Sequence, residues 1–302
     1  MLLSIFAADI LPVFLIASVG FLLARVYHVQ VSTVARVVFY AAVPCLVFTA
    51  LVHSTIDARG VGRMLLFHLS VTSLAGALAW MVSGRLGLTR PMRLAFLLVI
   101  VFSNGGNYGL PVALFAFGPD ALPWATIYFC TGVVLTYTVG IFLAASGRRS
   151  AREAFLGVFK VPTIYGILAA LGVLATGTTV PLPIARPIEL LSQAAVPMMI
   201  LVLGMQFERA SWPERPGAVA VAIVLSLVVT PLIGLGVAKA IGLAGAARQA
   251  AVLQTAMPAA VVTTILALEF DTAPSFVTSV VVASTALSPL TLTWLISWLQ
   301  RT

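Results

Sequence analysis

Charged residues are scarce in this chain, and their scarcity excludes an ordinary soluble fold. Asp, Glu, Lys and Arg make up 9% of the 302 residues and hydrophobic residues 61%, whereas soluble domains carry about 25% charged residues. A soluble core could not bury that much apolar surface, so we expect a lipid bilayer as the solvent. The formal net charge of +8 comes from basic residues scattered among short loops, which argues against a nucleic-acid partner.

Cysteine and clusters of reactive groups are also lacking. Cys45 and Cys130 both lie in apolar segments, where a small hydrophobic role is expected instead of a disulfide or a zinc site. An intramembrane enzyme would need paired aspartates, a His-rich cluster or a nucleophile with its base at membrane depth. The sequence offers none of these, so we expect neither an enzyme nor a bound metal or cofactor.

Apolar runs are abundant, and their lengths of roughly 17–25 residues suit helices that cross a bilayer. We predict an all-α polytopic membrane protein with ten transmembrane helices. The predicted spans cover approximately 2–24, 34–52, 62–83, 94–117, 121–145, 160–177, 184–205, 217–240, 247–269 and 274–298. The first run lacks a preceding Lys or Arg, which is typical of a membrane span and not of a secretory signal.

Proline positions indicate a duplicated unit. Three prolines in apolar segments recur about half a chain length later: Pro12 with Pro162, Pro44 with Pro197, and Pro111 with Pro258. We place the break in the charged loop 148–153 and predict repeats over 1–147 and 148–302. Each repeat has five spans, an odd number, so the second should be inverted relative to the first, as in many transporters.

The distribution of basic residues predicts the orientation. With the N-terminus outside, the cytoplasmic loops and span ends hold 11 of the 17 Lys and Arg residues. Because positive residues favour the cytoplasm, we predict that both termini lie outside it. The Ala- and Arg-rich composition with short loops suggests a bacterial inner membrane.

The fourth span is interrupted by residues that disfavour a continuous helix. These are Gly105, Gly106, Gly109 and Pro111, and they are accompanied by Asn104 and Asn107. Unwound backbone at mid-membrane needs hydrogen-bond partners, which Asn side chains can supply. The break also presents a helix N-terminus, whose free N–H groups attract anions.

The ninth span carries a matching but weaker signal. Pro258 lies between Gln254 and Thr255 on one side and Thr263 on the other. Two interrupted helices that meet near the midplane form the binding site in many transporters. A simple kink with close helix packing is the alternative explanation for both segments.

The sequence resembles the auxin efflux carrier family along essentially its whole length. Residues 104–111 (NGGNYGLP) followed by Phe117 and Gly118 are similar to the family's fourth-helix signature, and residues 256–261 (AMPAAV) are similar to its ninth. The long hydrophilic loop of plant hormone carriers is missing, so the resemblance is to the short microbial branch. Many relatives place an amide or another break-favouring residue shortly after the ninth-helix proline, where this chain has Val261 and Val262. This departure argues against a polar ligand from that turn and against a sodium site like that of the bile-acid carriers.

The resemblance implies two inverted five-helix repeats, with helices 4 and 9 crossing at breaks in mid-membrane. Spans 1, 2, 6 and 7 would form a scaffold, and spans 3–5 and 8–10 a mobile transport unit of the elevator type. Family substrates are organic anions, including auxin and small dicarboxylates. Asn104, Asn107 and Pro111 would belong to the first crossover and Pro258 to the second.

We therefore expect a secondary transporter of a small organic carboxylate, with a membrane sensor or a passive channel as alternatives. The candidate substrate-binding residues are Asn104, Asn107, Tyr108, Gln254, Thr255 and Thr263. His68 in the third span is the candidate for proton coupling, against a neutral His bonded to a backbone carbonyl. Proton or sodium coupling stays open, and so does a homodimer; lipid and the anion are the expected partners.

Overall fold

The computed structural model describes residues 2–144, 159–207 and 215–301. Within these ranges the secondary structure is helical, apart from a β-bridge between Ser103 and Ala259. The helices are α1 (Leu2–Arg25), α2 (Val31–Val52), α3 (Ala58–Arg85), α4 (Arg90–Val101), α5 (105–117), α6 (Ala121–Ala144), α7 (Pro162–Thr176), α8 (Leu182–Gln206), α9 (Pro216–Ile241), α10 (Gly245–Thr255), α11 (Val261–Glu269) and α12 (Pro274–Leu299).

The described helices agree with the predicted spans to within a few residues at their ends. Seven of them, α1, α2, α3, α6, α8, α9 and α12, are long and apolar enough to cross a bilayer. Helices α4 and α5 together occupy the fourth predicted span, and α10 and α11 occupy the ninth. The predicted boundary between repeats, in loop 148–153, lies outside the described residues.

Several prolines are accommodated by wider turns in the helix before them. Four π-helical turns are each followed by a proline in the next α-helical turn. They are Phe6–Ile10 before Pro12, Val38–Ala42 before Pro44, Gly105–Gly109 before Pro111, and Leu225–Val229 before Pro231. Proline lacks an N–H and its ring crowds the carbonyl four residues earlier, so a wider turn relieves the clash.

Helices α1 and α8 cross at very close range. A Cβ atom on Gly204 would overlap the carbonyl oxygen of Ala17, and one on Gly20 would overlap that of Leu201. Small residues at such crossings let helix backbones touch, which strengthens dispersion contacts where lipid removes the hydrophobic driving force. Helices α2 and α7 approach similarly, since a Cβ on Gly166 would press on the carbonyl of Pro44.

The close contact at the α1–α8 crossing predicts that a single added methyl group lowers the stability of the protein. Gly204→Ala should destabilise the protein by about 1–3 kcal/mol, because the obstacle is backbone that can move only if the helices separate. Thermal unfolding in detergent, followed by size-exclusion chromatography, measures the change. Gly172→Ala in α7 is the matched control, since nothing lies within 4 Å of a Cβ there. Equal stability of the two variants would contradict the tight crossing.

Candidate functional site

The two interrupted spans meet at their breaks. Residues 102–104 separate α4 from α5, and residues 256–260 separate α10 from α11. The Asn104 N–H donates to the Pro258 carbonyl at 2.7 Å, and the Ala260 N–H donates to the Phe102 carbonyl at 2.8 Å. These bonds flank the bridge between Ser103 and Ala259. Each break thus satisfies backbone groups of the other, as unwound backbone in a bilayer requires.

The side chain of Gln254 stabilises the crossing through hydrogen bonds to neighbouring helices. Its Nε2 donates to the Gly105 carbonyl at 3.2 Å and to the Ala125 carbonyl at 3.4 Å, which ties α10 to α5 and α6. Ser103 Oγ donates in return to the Gln254 carbonyl at 3.1 Å. The Gln254 side chain is fully buried, so these bonds stabilise the crossing in a medium of low dielectric constant.

Glycines at the crossing leave room for two neighbouring side chains, which would have to shift if a Cβ were added. A Cβ on Gly105 would lie 2.7 Å from Gln254 Oε1, and one on Gly109 would overlap the same amide. A Cβ on Gly106 would lie 2.7 Å from the ring of Phe129. These glycines and Pro111 lie in the π turn and first α-helical turn of α5, whereas the non-helical break is confined to residues 102–104.

A cavity of about 430 Å³ lies against one side of the crossing. Residues 103–107 and 260–262 form one wall, α3 and α6 contribute His68, Tyr128 and Phe129, and the opposite wall consists of α2 and α8. The cavity is lined by residues of the first half of α2, including exposed Ser32 and Arg36, and by Gln206 in the last turn of α8. It therefore opens at the end of the molecule where α2 begins and α8 ends.

The polar groups at the inner end of the cavity come from the first break. Asn104 and Asn107 both line it; Asn104 is buried and its Nδ2 atom has no hydrogen-bond partner among the described residues. The first turns of α5 and α11 also line the cavity, and the first N–H groups of a helix lack intrahelical partners. Amide donors and two helix N-termini suit a bound carboxylate.

His68 lines the cavity beside Tyr128. The two ring centroids are 3.9 Å apart, and the imidazole is buried. Its Nδ1 atom has no hydrogen-bond partner in the described part of the chain. No group of three or more His, Cys, Asp or Glu side chains comes together as metal ligands do within residues 2–144, 159–207 and 215–301.

Four predicted substrate-binding residues lie outside this cavity. Tyr108 is fully buried, packs edge-on against Phe14 at 6.1 Å and accepts a hydrogen bond from Ser288 at 3.1 Å. Gln254 bonds at the crossing through its Nε2 atom, whereas its buried Oε1 atom has no hydrogen-bond partner among the described residues. Thr255 and Thr263 donate to carbonyls of their own chain segments, those of Val252 and Ala260. These four side chains do not line the cavity, and their role in substrate binding stays a prediction.

Sequence reasoning missed the wall formed by α2 and α8. Arg36, Phe39, Met199 and Gln206 line the cavity, yet no break or polar motif marks their helices. Ser103 could have been found, because it immediately precedes Asn104 in the interrupted span. The others become visible only when the helices are packed.

The chain belongs to a family of membrane transporters. The model of the Membrane transport protein family, which includes the auxin efflux carriers, matches residues 5–156 and 144–296. These two segments together span nearly the whole chain, including both breaks. The protein is therefore a multi-pass membrane protein of this family, and the expected family resemblance is confirmed.

Two archaeal proteins are similar to this chain. One, described as an uncharacterized transporter of Methanothermobacter thermautotrophicus, is 30% identical over 267 residues that cover 86% of each chain. The other, an uncharacterized transporter of Methanocaldococcus jannaschii, is 25% identical over 199 residues that cover 64% of each chain. Both descriptions agree with a role in transport.

The contact between Gln254 and the glycines predicts a compensating pair of substitutions. Gly109→Ala should destabilise the protein by about 1–3 kcal/mol, because its methyl group would displace a buried, hydrogen-bonded amide. In Gly109→Ala/Gln254→Ala the obstacle is gone, so the double variant should lose less stability than the sum of the single losses. Thermal unfolding of the parent protein, Gly109→Ala, Gln254→Ala and the double variant measures the coupling between the two positions. Strict additivity would contradict the contact.

Proposed function

We propose that this protein is a secondary transporter that moves a small organic carboxylate by elevator-type alternating access. The observation that carries the proposal is the position of the cavity between the crossing and the α2–α8 wall. Asn104 and Asn107 lie on the crossing side of this cavity. A carboxylate held there would be enclosed between the two parts that such a mechanism moves past each other.

The chemistry of the lining supports an anion of modest affinity. The described lining residues include Arg36 and His68 and no Asp or Glu. Helix N-termini contribute about 0.3–1 kcal/mol each toward a bound anion, and each neutral hydrogen bond adds about 1 kcal/mol net. Binding in the micromolar to millimolar range follows, which suits a carrier that must release its cargo.

The packing supports the division into a scaffold and a transport unit. Spans 1, 2, 6 and 7 correspond to α1, α2, α7 and α8, and the backbone-close crossings pair α1 with α8 and α2 with α7. In an inverted repeat, span 1 corresponds to span 6 and span 2 to span 7, so the symmetry exchanges these two crossings. The seven long helices, the 15-residue α7 and the two interrupted pairs, α4 with α5 and α10 with α11, together give ten membrane crossings.

The position of the cavity opening assigns the structure to one conformational state of the proposed transport cycle. It opens where α2 begins and α8 ends, the side that carries the larger share of Lys and Arg under the predicted topology. We assign this side to the cytoplasm of a bacterial inner membrane, with both termini outside. The structure then corresponds to an inward-facing state. On the other side of the crossing, Tyr108 packs against Phe14 of α1.

The substrate class and the site are tested in two steps. A thermal-shift screen of the purified protein against mono- and dicarboxylates, with and without sodium, should show selective stabilisation by a carboxylate. In vesicles, Asn104→Ala and Asn107→Ala should each raise KM for that carboxylate about fivefold or more, because each removes an amide donor. Thr278→Val, outside the cavity lining and bonded to its own helix in α12, should leave uptake intact. Unchanged uptake in both Asn variants would refute the site.

A role for His68 in proton coupling has its own test. The ring lines the cavity, so its protonation would change the charge that the substrate meets. His68→Gln keeps a polar side chain that cannot titrate, and it should flatten the pH dependence of transport measured between about pH 5 and 8. A preserved pH profile would show that the imidazole is only a neutral packing residue.

A further inference from the structure

One charged side chain has no individual role in the proposed site: the guanidinium of Arg36 at the mouth of the cavity. Arg36 lies in the second turn of α2 and is exposed. Ser32, Ala35, Arg36, Phe39 and Val43 all line the cavity. Val38 lines it as well. Ser32, Ala35, Arg36 and Phe39 follow the i, i+3, i+4, i+7 pattern of a single helix face, so Arg36 projects from the face that forms the wall.

The described lining residues place no negative charge beside Arg36. Among the described residues that line the cavity there is no carboxylate, and Arg36 is the permanently charged side chain. Val43 lies seven residues further along α2, roughly 10 Å deeper at 1.5 Å per residue. Arg36 thus stands about one Debye length from the inner part of the cavity, which is close enough to act at low and moderate salt.

We propose that Arg36 is a specificity-determining residue that selects anions at the mouth of the cavity before they reach Asn104 and Asn107. This inference rests on the proposed transport of a carboxylate. The walls of low dielectric constant on either side focus the field of the guanidinium into the opening. The result is a higher local concentration of anions and a lower one of cations, independent of the detailed shape of the substrate.

The alternative role for Arg36 is anchoring. Basic residues near the ends of membrane helices commonly reach the lipid headgroups and fix the helix in place. An arginine whose guanidinium extends away from the mouth into the headgroups would lie farther from the cavity and change the potential there much less. The two roles are therefore separated by a measurement of the potential, and this measurement needs no knowledge of the natural substrate.

The experiment uses a single reporter cysteine. Val262→Cys is introduced into a background in which Cys45 and Cys130 are replaced by Ala; Val262 lines the cavity and is half-buried. The thiolate attacks a methanethiosulfonate reagent, which forms a mixed disulfide and releases methanesulfinate. Modification rates are measured in detergent with two probes, the anionic sulfonatoethyl and the cationic trimethylammonium-ethyl reagent. Their ratio reports the potential at the cysteine.

Arg36→Gln should lower the ratio of anionic to cationic rates about tenfold at 20 mM salt, since one charge acts on the two probes with opposite signs. The change should shrink severalfold at 0.5 M salt, and Arg36→Lys should keep the ratio of the parent protein. The control Arg85→Gln removes an exposed charge at the end of α3, outside the cavity lining, and should have little effect. Ile265→Cys, also in the lining, serves as a second reporter if the first variant is poorly folded.

An unchanged ratio in Arg36→Gln at both reporters, or an equal change in Arg85→Gln, would overturn the proposal. The outcome is separate from the fate of the transport function. A falling ratio in a protein that moves no carboxylate would refute the transport of carboxylates and leave the role of Arg36 in place. An unchanged ratio in a protein that transports a carboxylate would refute the role of Arg36 and leave the transport function in place.

Discussion

The mutual hydrogen bonding of two broken helices is the constraint on which the rest of this structure depends. Backbone N–H and C=O groups inside a bilayer find no water, so an interruption persists only where protein supplies partners. Here the partners are the other interruption, through the bonds between Asn104 and Pro258 and between Ala260 and Phe102. Each break therefore depends on the other for the partners of its backbone groups.

Several sequence features serve this single arrangement. Gly105 and Gly109 leave room for the amide of Gln254, which bonds to the backbone beside them. Ser103 bonds to the segment opposite. With the backbone satisfied in this way, the Nδ2 atom of Asn104 has no partner among the described residues. Gln254 bonds across the crossing, whereas Asn104 and Asn107 line the cavity; substrate binding by any of these side chains stays a prediction.

The binding space itself is a product of two different kinds of packing. Around α1, α2, α7 and α8, glycines allow backbones to touch, as Gly204 does with Ala17. Around the crossing of the two breaks, the segments are joined by hydrogen bonds and not by backbone contact at glycines. The cavity lies where these two regions face each other without filling the gap. Membership of the Membrane transport protein family fits a molecule with a cavity of about 430 Å³ between these two differently packed regions.

Much of the helical layout followed from the sequence, because hydrophobic length and the scarcity of charge act locally. The spans, the interruption near Asn104 and the pairing of Pro111 with Pro258 could all be read from composition and spacing. The role of each polar residue could not be read in this way. Tyr108 and Asn107 are neighbours in the same motif, yet one packs against Phe14 and the other lines the cavity.

What the sequence determined by itself is where the chain enters and leaves helices and which segments carry the polar break, since both depend on neighbouring residues. What only the tertiary structure decided is the cavity. Its second wall comes from α2 and α8, whose lining residues Arg36 and Gln206 are far apart in the chain. Their meeting depends on how whole helix surfaces pack against one another, and neighbouring residues in the sequence do not determine this packing.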